Sequence, residues 1–154
     1  MTHLVDNPID TAALIAETED PSCGALVLFE GVVRDHDRDD AVASMTYTAY
    51  RPLAERVLGE LEDEACQRFA ISRCRVVHRL GWLGVGESSV AVVVRAAHRA
   101  PAYEASRFVI DALKERAPIW KQDHLSDGST RYQDGTPMEA PDSSESSGSP
   151  GSSC

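Results

Sequence analysis

Lysine is nearly absent from this chain: of 15 Lys+Arg, only Lys114 and Lys121 are lysine. Other scarcities bound the protein before any motif is read. The four cysteines, Cys23, Cys66, Cys74 and Cys154, form no CxxC pair and no metal-ligand rhythm. Neither a zinc site nor a disulfide framework is therefore indicated, and reduced, mostly buried thiols are expected. No apolar run approaches the length of a membrane span, and the N-terminus MTHLVDNPID lacks the basic and apolar regions of a signal peptide, so the expected location is the cytoplasm. Excess positive charge is missing too. A formal net charge of −10 argues against a nucleic-acid binder, so any anion must be drawn by a local basic pocket.

What remains is an ordinary globular composition, with 42% hydrophobic and 26% charged residues in 154 positions. That length predicts one domain with a real core. The last segment, QDGTPMEAPDSSESSGSPGSSC, contains no Lys or Arg and almost no large apolar side chain. It cannot bury enough surface to offset its ordering entropy, which predicts a domain over residues 1–132 and a disordered acidic tail over 133–154. Truncation after Tyr132 should accordingly leave thermal stability nearly unchanged.

Residues 9–19 (IDTAALIAETE) predict a short helix capped by Asp10 or Thr11 and closed before Pro21. GALVLFEGVVR, residues 24–34, is a β-rich run that ends on Arg34 and is interrupted by Gly31, the mark of a bulge or close backbone approach. DHDRDD fails as a calcium loop, because Asp40 stands where the turn glycine belongs and Thr46 where the closing Glu belongs; a mobile loop is expected. ASMTYTAY alternates with Ala43, Met45, Tyr47 and Ala49 on one face, the pattern of a half-buried antiparallel strand.

Pro52 suits the first turn of a helix whose apolar stripe reads Leu53, Val57, Leu61, Ala65 and Phe69. ISRCRVVHRL is a further strand, and GWLGVGESS a turn-rich connection whose GxxGxG order is wrong for a dinucleotide loop. SVAVVVRAA is so continuously apolar that both faces must be covered, which makes it a central strand. HRAP then opens a helix running to about Glu115, with Tyr103, Phe108, Val109, Ala112 and Leu113 as inward candidates. Sheet and helix alternate without the regular repeat of a doubly wound fold, so the class is α+β with mixed or antiparallel pairing.

Both lysines fall in LKERAPIWKQD, residues 113–123. Pro118 forbids one continuous helix through them, which leaves Lys114 on a last helical turn and Lys121 on an extended segment. A chain reversal there can bring two amines to one pocket, and an amine, unlike a guanidinium, can act as a base or nucleophile. The plain alternative is that Lys114 complements a helix C-terminus and Lys121 sits on a solvated edge. His98 and Arg99 precede a helix whose free N–H groups favour an anion, and Arg34 ends a strand; solvated or capping roles are the ordinary fate of each.

The combination of GALVLFEGVVRDH, VVHRLGWLGVGESSVAVVV, HRAPAYEA and LKERAPIWK, in this order, resembles the catalytic large-subunit family of molybdopterin synthase over about residues 24–128. The resemblance implies an α/β-hammerhead fold and a homodimer in which each large subunit holds a small ubiquitin-like sulfur carrier, a heterotetramer in all. The carrier's C-terminal Gly-Gly tail, ending in a thiocarboxylate, would thread into the large subunit. Sulfur would pass to cyclic pyranopterin monophosphate, and two rounds would build the dithiolene of molybdopterin, with no metal and no cofactor required.

By the same resemblance Lys114 and Lys121 fall on the two active-site lysines, Arg34, His98 and Arg99 on positions that hold the phosphate-bearing pterin, and Gln122 and Asp123 on a substrate-contacting stretch. Three departures stand out. Val32 replaces a basic residue of some members, Gln122 replaces a common Lys or Arg, and the aromatic strand after Asp127-Gly128 is reduced to Arg131-Tyr132. These departures define the alternative of a non-catalytic paralogue that docks the carrier without transferring sulfur. A Schiff-base lysine enzyme acting on a phosphorylated carbonyl compound is a more distant third.

Overall fold

The structure is a computed structural model that describes residues 2–132, so the tail expected from Gln133 lies outside the described residues. Nine strands and three helices are present among them. Strands β1 (Leu4–Val5), β5 (Arg73–Arg79), β7 (Ser88–Ala96) and β2 (Ala25–Val32) form one sheet in the order β1-β5-β7-β2. The β1–β5 pair is parallel and the others antiparallel, so of the two pairings expected for the α+β class this sheet takes the mixed one. The second sheet runs β3 (His36–Asp37), β4 (Asp40–Ala49), β8 (Ile119–Leu125) and β9 (Thr130–Tyr132), with β6 (Gly81–Gly84) also paired to β4.

β7 is the central strand that its apolar run predicts: Val90, Ala91, Val92, Val93 and Val94 are all fully buried. One face of β7 packs with Val76, Ala105 and Val109 in the main core; the other joins Val77 and Leu14 in a smaller cluster beneath α1 (Thr11–Glu17). Asp10 caps α1 by accepting a hydrogen bond from the Ala13 amide. The bulge expected at Gly31 is present, as a register shift between Gly31 and Val32.

Several expectations are corrected. DHDRDD, expected as a loop, forms a tight hairpin in which Asp37 pairs with Asp40 and Arg38 takes a φ of 59°. GWLGVGESS contains the strand β6, because Trp82 and Leu83 find partners in Thr46 and Met45 of β4. Ala43 is exposed, since a register shift between Val42 and Ser44 turns both of those inward; Met45 and Tyr47 keep the predicted face.

In α2 (Arg51–Arg68) the buried line is Ala54, Leu58, Leu61 and Ala65, so Leu53 and Val57 flank the predicted stripe rather than centre it. In α3 (Arg99–Arg116), Val109, Ala112 and Leu113 are buried, but Tyr103 is 63% exposed, because the helix face toward the sheet is filled by Ala102, Ala105 and Ser106. Of the three described cysteines, all free thiols, only Cys74 is buried.

The N-terminus is fastened by a charged network. His3 Nδ1 lies 3.1 Å from Glu55 and Nε2 3.2 Å from Glu62, which also pairs with Arg75 at 2.9 Å. The hydrogen bond to Glu62 raises the His3 imidazole above its ordinary value against the opposing pull of burial. Burial works against charge on Glu55, yet hydrogen bonds from Thr2, His3 and Leu4 overcome it and hold the carboxyl down to about 2. The signs differ. His3, raised on folding, contributes stability that is complete below its unfolded value and lost as pH rises through the folded one. Glu55, depressed on folding, contributes above its unfolded value and loses it as pH falls. The melting temperature of wild type is therefore expected to exceed that of His3→Gln by more at pH 5.5–6 than at pH 9, read by calorimetry; an equal gap at both would remove the charged latch.

Candidate functional site

Topology decides which predicted residues can meet. β2 and β7 are antiparallel, with Ala25 opposite Ala96 at one end and Val32 opposite Ser88 at the other. Arg34 follows the second of these ends and His98 the first, so the two sit at opposite ends of the sheet, separated by strands of eight and nine residues that span roughly 25–30 Å. α3 leaves from His98 and packs on both β7 and β2, which carries its C-terminus back toward the Arg34 end. Arg99 and Lys114 are consequently roughly 22 Å apart along the helix axis.

Arg34, Lys114 and Lys121 thus share one end of the protomer, and His98 and Arg99 occupy the other. The expected set is split in two.

The lysine end is built by the reversal at Ala117-Pro118. Ala117 caps α3 through its amide to the Leu113 carbonyl, and the Tyr50 amide donates to the Pro118 carbonyl at 3.1 Å, tying the turn to the start of α2. Lys114 is half-buried on the last turn of α3. Lys121, also half-buried, lies opposite Tyr47 in the β4–β8 register, and Asp123 lies opposite Met45. Directly opposed residues share a face, so Lys121 is on the same inward face as Tyr47 and Met45, both in the core. The solvated-edge alternative for Lys121 is excluded by that placement.

Gln122, one residue on, points to the other face, opposite Thr46 and Tyr132. Asp123 is fully buried, 3.7 Å from Arg131, which also holds Asp40 at 2.8 Å and Asp37 at 3.0 Å. Arg34 is exposed and lies 3.6 Å from the same Asp37, so one relay of charges runs from Arg34 through the hairpin to β8.

Two residues that the motifs did not single out belong to this end. His78 of β5 is buried, its ring edge-on to Tyr47 with centroids 4.9 Å apart. Its Nδ1 donates to the Arg79 carbonyl at 2.8 Å. Burial pushes the imidazole down to about 4, and the charge of Lys121 adds to the effect. The signal was available in the sequence: Cys74, Val76 and His78 alternate onto one face, and a titratable ring on an apolar face needs a reason.

At the other end His98 is the N-cap residue of α3 but makes no side-chain capping bond, and both His98 and Arg99 are exposed. The imidazole is thus not consumed by the helix.

Comparison with known proteins bears on this geometry. The family model described as "MoaE protein" matches residues 4–116. The chain belongs to the MoaE family. That match takes in Arg34, His78, His98, Arg99 and Lys114 and ends five residues before Lys121. Among MoaE relatives, the molybdopterin synthase catalytic subunit of Thermoplasma volcanium is 43% identical over 122 residues, 79% of this chain and 87% of that one. The Escherichia coli molybdopterin synthase catalytic subunit is 43% identical over 105 residues, covering 68% and 70%. The crystal structure of molybdopterin synthase from Staphylococcus aureus superposes with a TM-score of 0.81 at 32% identity, covering 86% of this chain and 96% of its own. The sheet order and the lysine reversal described above are therefore set in a MoaE fold.

Proposed function

We propose that this chain is the catalytic subunit of molybdopterin synthase, a sulfur transferase of molybdenum cofactor biosynthesis. It converts cyclic pyranopterin monophosphate to molybdopterin with sulfur from the C-terminal thiocarboxylate of a small ubiquitin-like carrier. The observation that carries this reading is the placement of Lys121 on the inward face beside Tyr47 and a neutral His78, at the end of the protomer that also holds Lys114 and Arg34.

Each group has work to do there. The carrier's thiocarboxylate sulfur attacks a side-chain carbon of the pterin substrate and displaces the oxygen that carbon bears, which leaves on its phosphate or, with a proton, as water, giving an acyl-sulfur link. Water then adds to the acyl carbon, the oxygen takes up negative charge, and the carbon–sulfur bond breaks to leave the carrier as a carboxylate and the sulfur on the pterin. A lysine ammonium stabilises that developing oxyanion, and an amine can relay the proton from water. Arg34 supplies a guanidinium for the phosphate. Asp123, expected on a substrate-contacting stretch, has no exposed surface and instead braces β8 through Arg131, while Gln122 lies on the opposite face of β8 from Lys121.

The remaining anion groups, His98 and Arg99, lie too far from Lys114 to serve the same pocket within one protomer. We infer that the working unit is a homodimer with two carriers bound, and that each pocket takes its lysines and Arg34 from one protomer and His98-Arg99 from its partner. No helix among the described residues is long and apolar enough to cross a membrane, and this reading places the reaction in the cytoplasm.

The test is conversion of cyclic pyranopterin monophosphate by this protein with a thiocarboxylated carrier. Formation of molybdopterin with consumption of two thiocarboxylates per product is the expected result. Carrier binding without product would identify a docking paralogue instead, and borohydride trapping of a substrate on lysine would identify a Schiff-base enzyme.

A further inference from the structure

The first sheet ends in an edge that nothing among the described residues covers. β2 is the last strand in the order, and among those residues only β7 exchanges backbone hydrogen bonds with it. Such an edge is normally guarded by lysine, proline, shortness or a bulge. β2 is eight residues long, contains neither lysine nor proline, and carries Glu30 as its one charge. Its bulge falls at the last step, between Gly31 and Val32, which leaves residues 25–30 as an unbroken ladder.

The helix layer is open at the same place. α2 packs on β5, and α3 on β7 and β2, so the flank of α3 turned away from α2 overhangs the β2 edge. Phe108 and Arg116 mark the α2 side of α3, through Phe69 and Glu64. On the opposite flank Arg99, Tyr103, Ile110 and Lys114 follow at intervals of four, seven and four residues, which makes them one stripe of the helix. Tyr103 is exposed on that stripe, and Leu26 and Val32 are exposed on the strand.

Edge and flank are complementary to copies of themselves. Ala25 lies opposite Ala96, so a second β2 paired antiparallel with the first puts Arg34 beside the end from which the partner's α3 starts. Because α3 lies over β7 and β2, the two helix axes would stand two strand spacings apart, about 10 Å, the ordinary distance between packed helices. The helices run antiparallel there. Arg99 then faces the partner's Lys114, and Tyr103 faces the partner's Ile110; both pairs share a midpoint between Ser106 and Arg107, near the middle of α3. Arg107, beside that midpoint, is paired with Asp111 at 3.6 Å. Helix and strand are each roughly 27 Å long, so one axis serves both.

We propose that two copies of this chain associate through this surface, β2 pairing antiparallel with the partner's β2 and α3 packing on the partner's α3 about a single two-fold axis. The choice of a second copy as the occupant rests on the reading that each pocket is shared between protomers. Arg34 and Lys114 meet the partner's His98 and Arg99 at either end of the joined edge. The cations gathered there need an anion between them, which is the local basic pocket that a chain of net charge −10 requires.

The test uses the full chain. Sedimentation equilibrium is expected to show a dimer, and Leu26→Lys/Tyr103→Glu to weaken it by about a hundredfold or more, since the charges would be buried where apolar groups meet. Both side chains are exposed in the protomer, so the variant keeps its fold, read by circular dichroism. Trp82→Glu, which changes an exposed aromatic on β6, should leave the dimer unchanged. Amides of β2 should be protected in wild type and exchange at least about tenfold faster in the double variant.

A monomeric wild type, or a dimer indifferent to Leu26 and Tyr103, would overturn the proposal. So would β2 protection that is lost on truncation after Tyr132, which would make the C-terminal tail the occupant, or protection that appears only with the carrier. If the double variant does not fold, Tyr103→Glu alone decides, and unchanged association refutes the surface. Mass and exchange need no turnover. A dimer joined at β2 without synthase activity supports the surface and refutes the functional reading; full synthase activity in a dimer indifferent to Leu26 and Tyr103 does the reverse.

Discussion

Lys114→Arg is expected to lower molybdopterin formation by about a hundred- to a thousandfold while the protein melts within about 2 °C of wild type. Arginine keeps the positive charge on the last turn of α3 and its contribution to the helix C-terminus, so a surface or dipole role would survive the change. It removes the one thing a guanidinium cannot supply, an amine that can act as a base. Stability is spared because the last turn is held by Leu113 in the core and by the cap at Ala117, not by the Lys114 side chain. Lys121→Ala should lose activity to a similar degree through loss of oxyanion stabilisation. The measurement is single-turnover conversion with excess thiocarboxylated carrier, which reads the chemical steps without product release. Wild-type rates for Lys114→Arg would reduce Lys114 to a charge.

The second large effect is a gain. Two inactive proteins, the double variant Lys114→Ala/Lys121→Ala and the double variant His98→Ala/Arg99→Ala, are expected to restore activity when co-refolded in equal amounts. If each pocket takes lysines from one protomer and His98-Arg99 from the other, a mixed dimer carries one intact pocket and one with both halves disabled. Random assortment makes half of the dimers mixed, so activity should return to roughly a quarter of wild type per protomer. Were all five residues to serve one pocket within a single protomer, every pocket in the mixture would carry a lesion and activity would stay at the level of the parents. The helix separating Arg99 from Lys114 is what makes recovery the expected result.

Much of this was legible beforehand, and the residues that were and were not show why. Val90 to Val94 declare a central strand because nothing but burial on both faces tolerates such a run, and Pro52 declares a helix start because its ring suits a first turn. Pro118 alone was enough to put the two lysines on different elements. The strand Gly81–Gly84 was hidden because two of its four residues are glycine, and its pairing is dictated by β4 rather than by its own propensity.

Ala43 was misplaced for a different reason: alternation is a rule about an unbroken ladder, and the bulge beside Val42 breaks it. Tyr103 shows that apolar periodicity does not say which of two neighbouring stripes a helix buries, since small Ala102 and Ala105 let α3 approach the sheet more closely than a tyrosine would. At the site, chemistry-bearing residues could be picked by type and order. Whether they converge is a matter of where a helix of eighteen residues delivers its two ends.

The second sheet also sets a timetable. β4 is synthesised early, but its long partner β8 is separated from it by about seventy residues, whereas β2, β5 and β7 of the first sheet are all present once Ala96 has emerged. At about 5–20 residues per second, the ribosome needs roughly 1.5–6 s more to reach Leu125. During that interval the lysine-bearing strand does not exist, and the β4 edge that will receive it faces solvent as a ready template for another chain. Nascent protein is therefore most prone to strand-mediated aggregation in the window before the second lysine is made, and slow translation through residues 97–125 should lengthen that window. Pairing of β8 closes the β4 edge and completes the lysine end in one event, so protection of that edge and chemical competence arrive together.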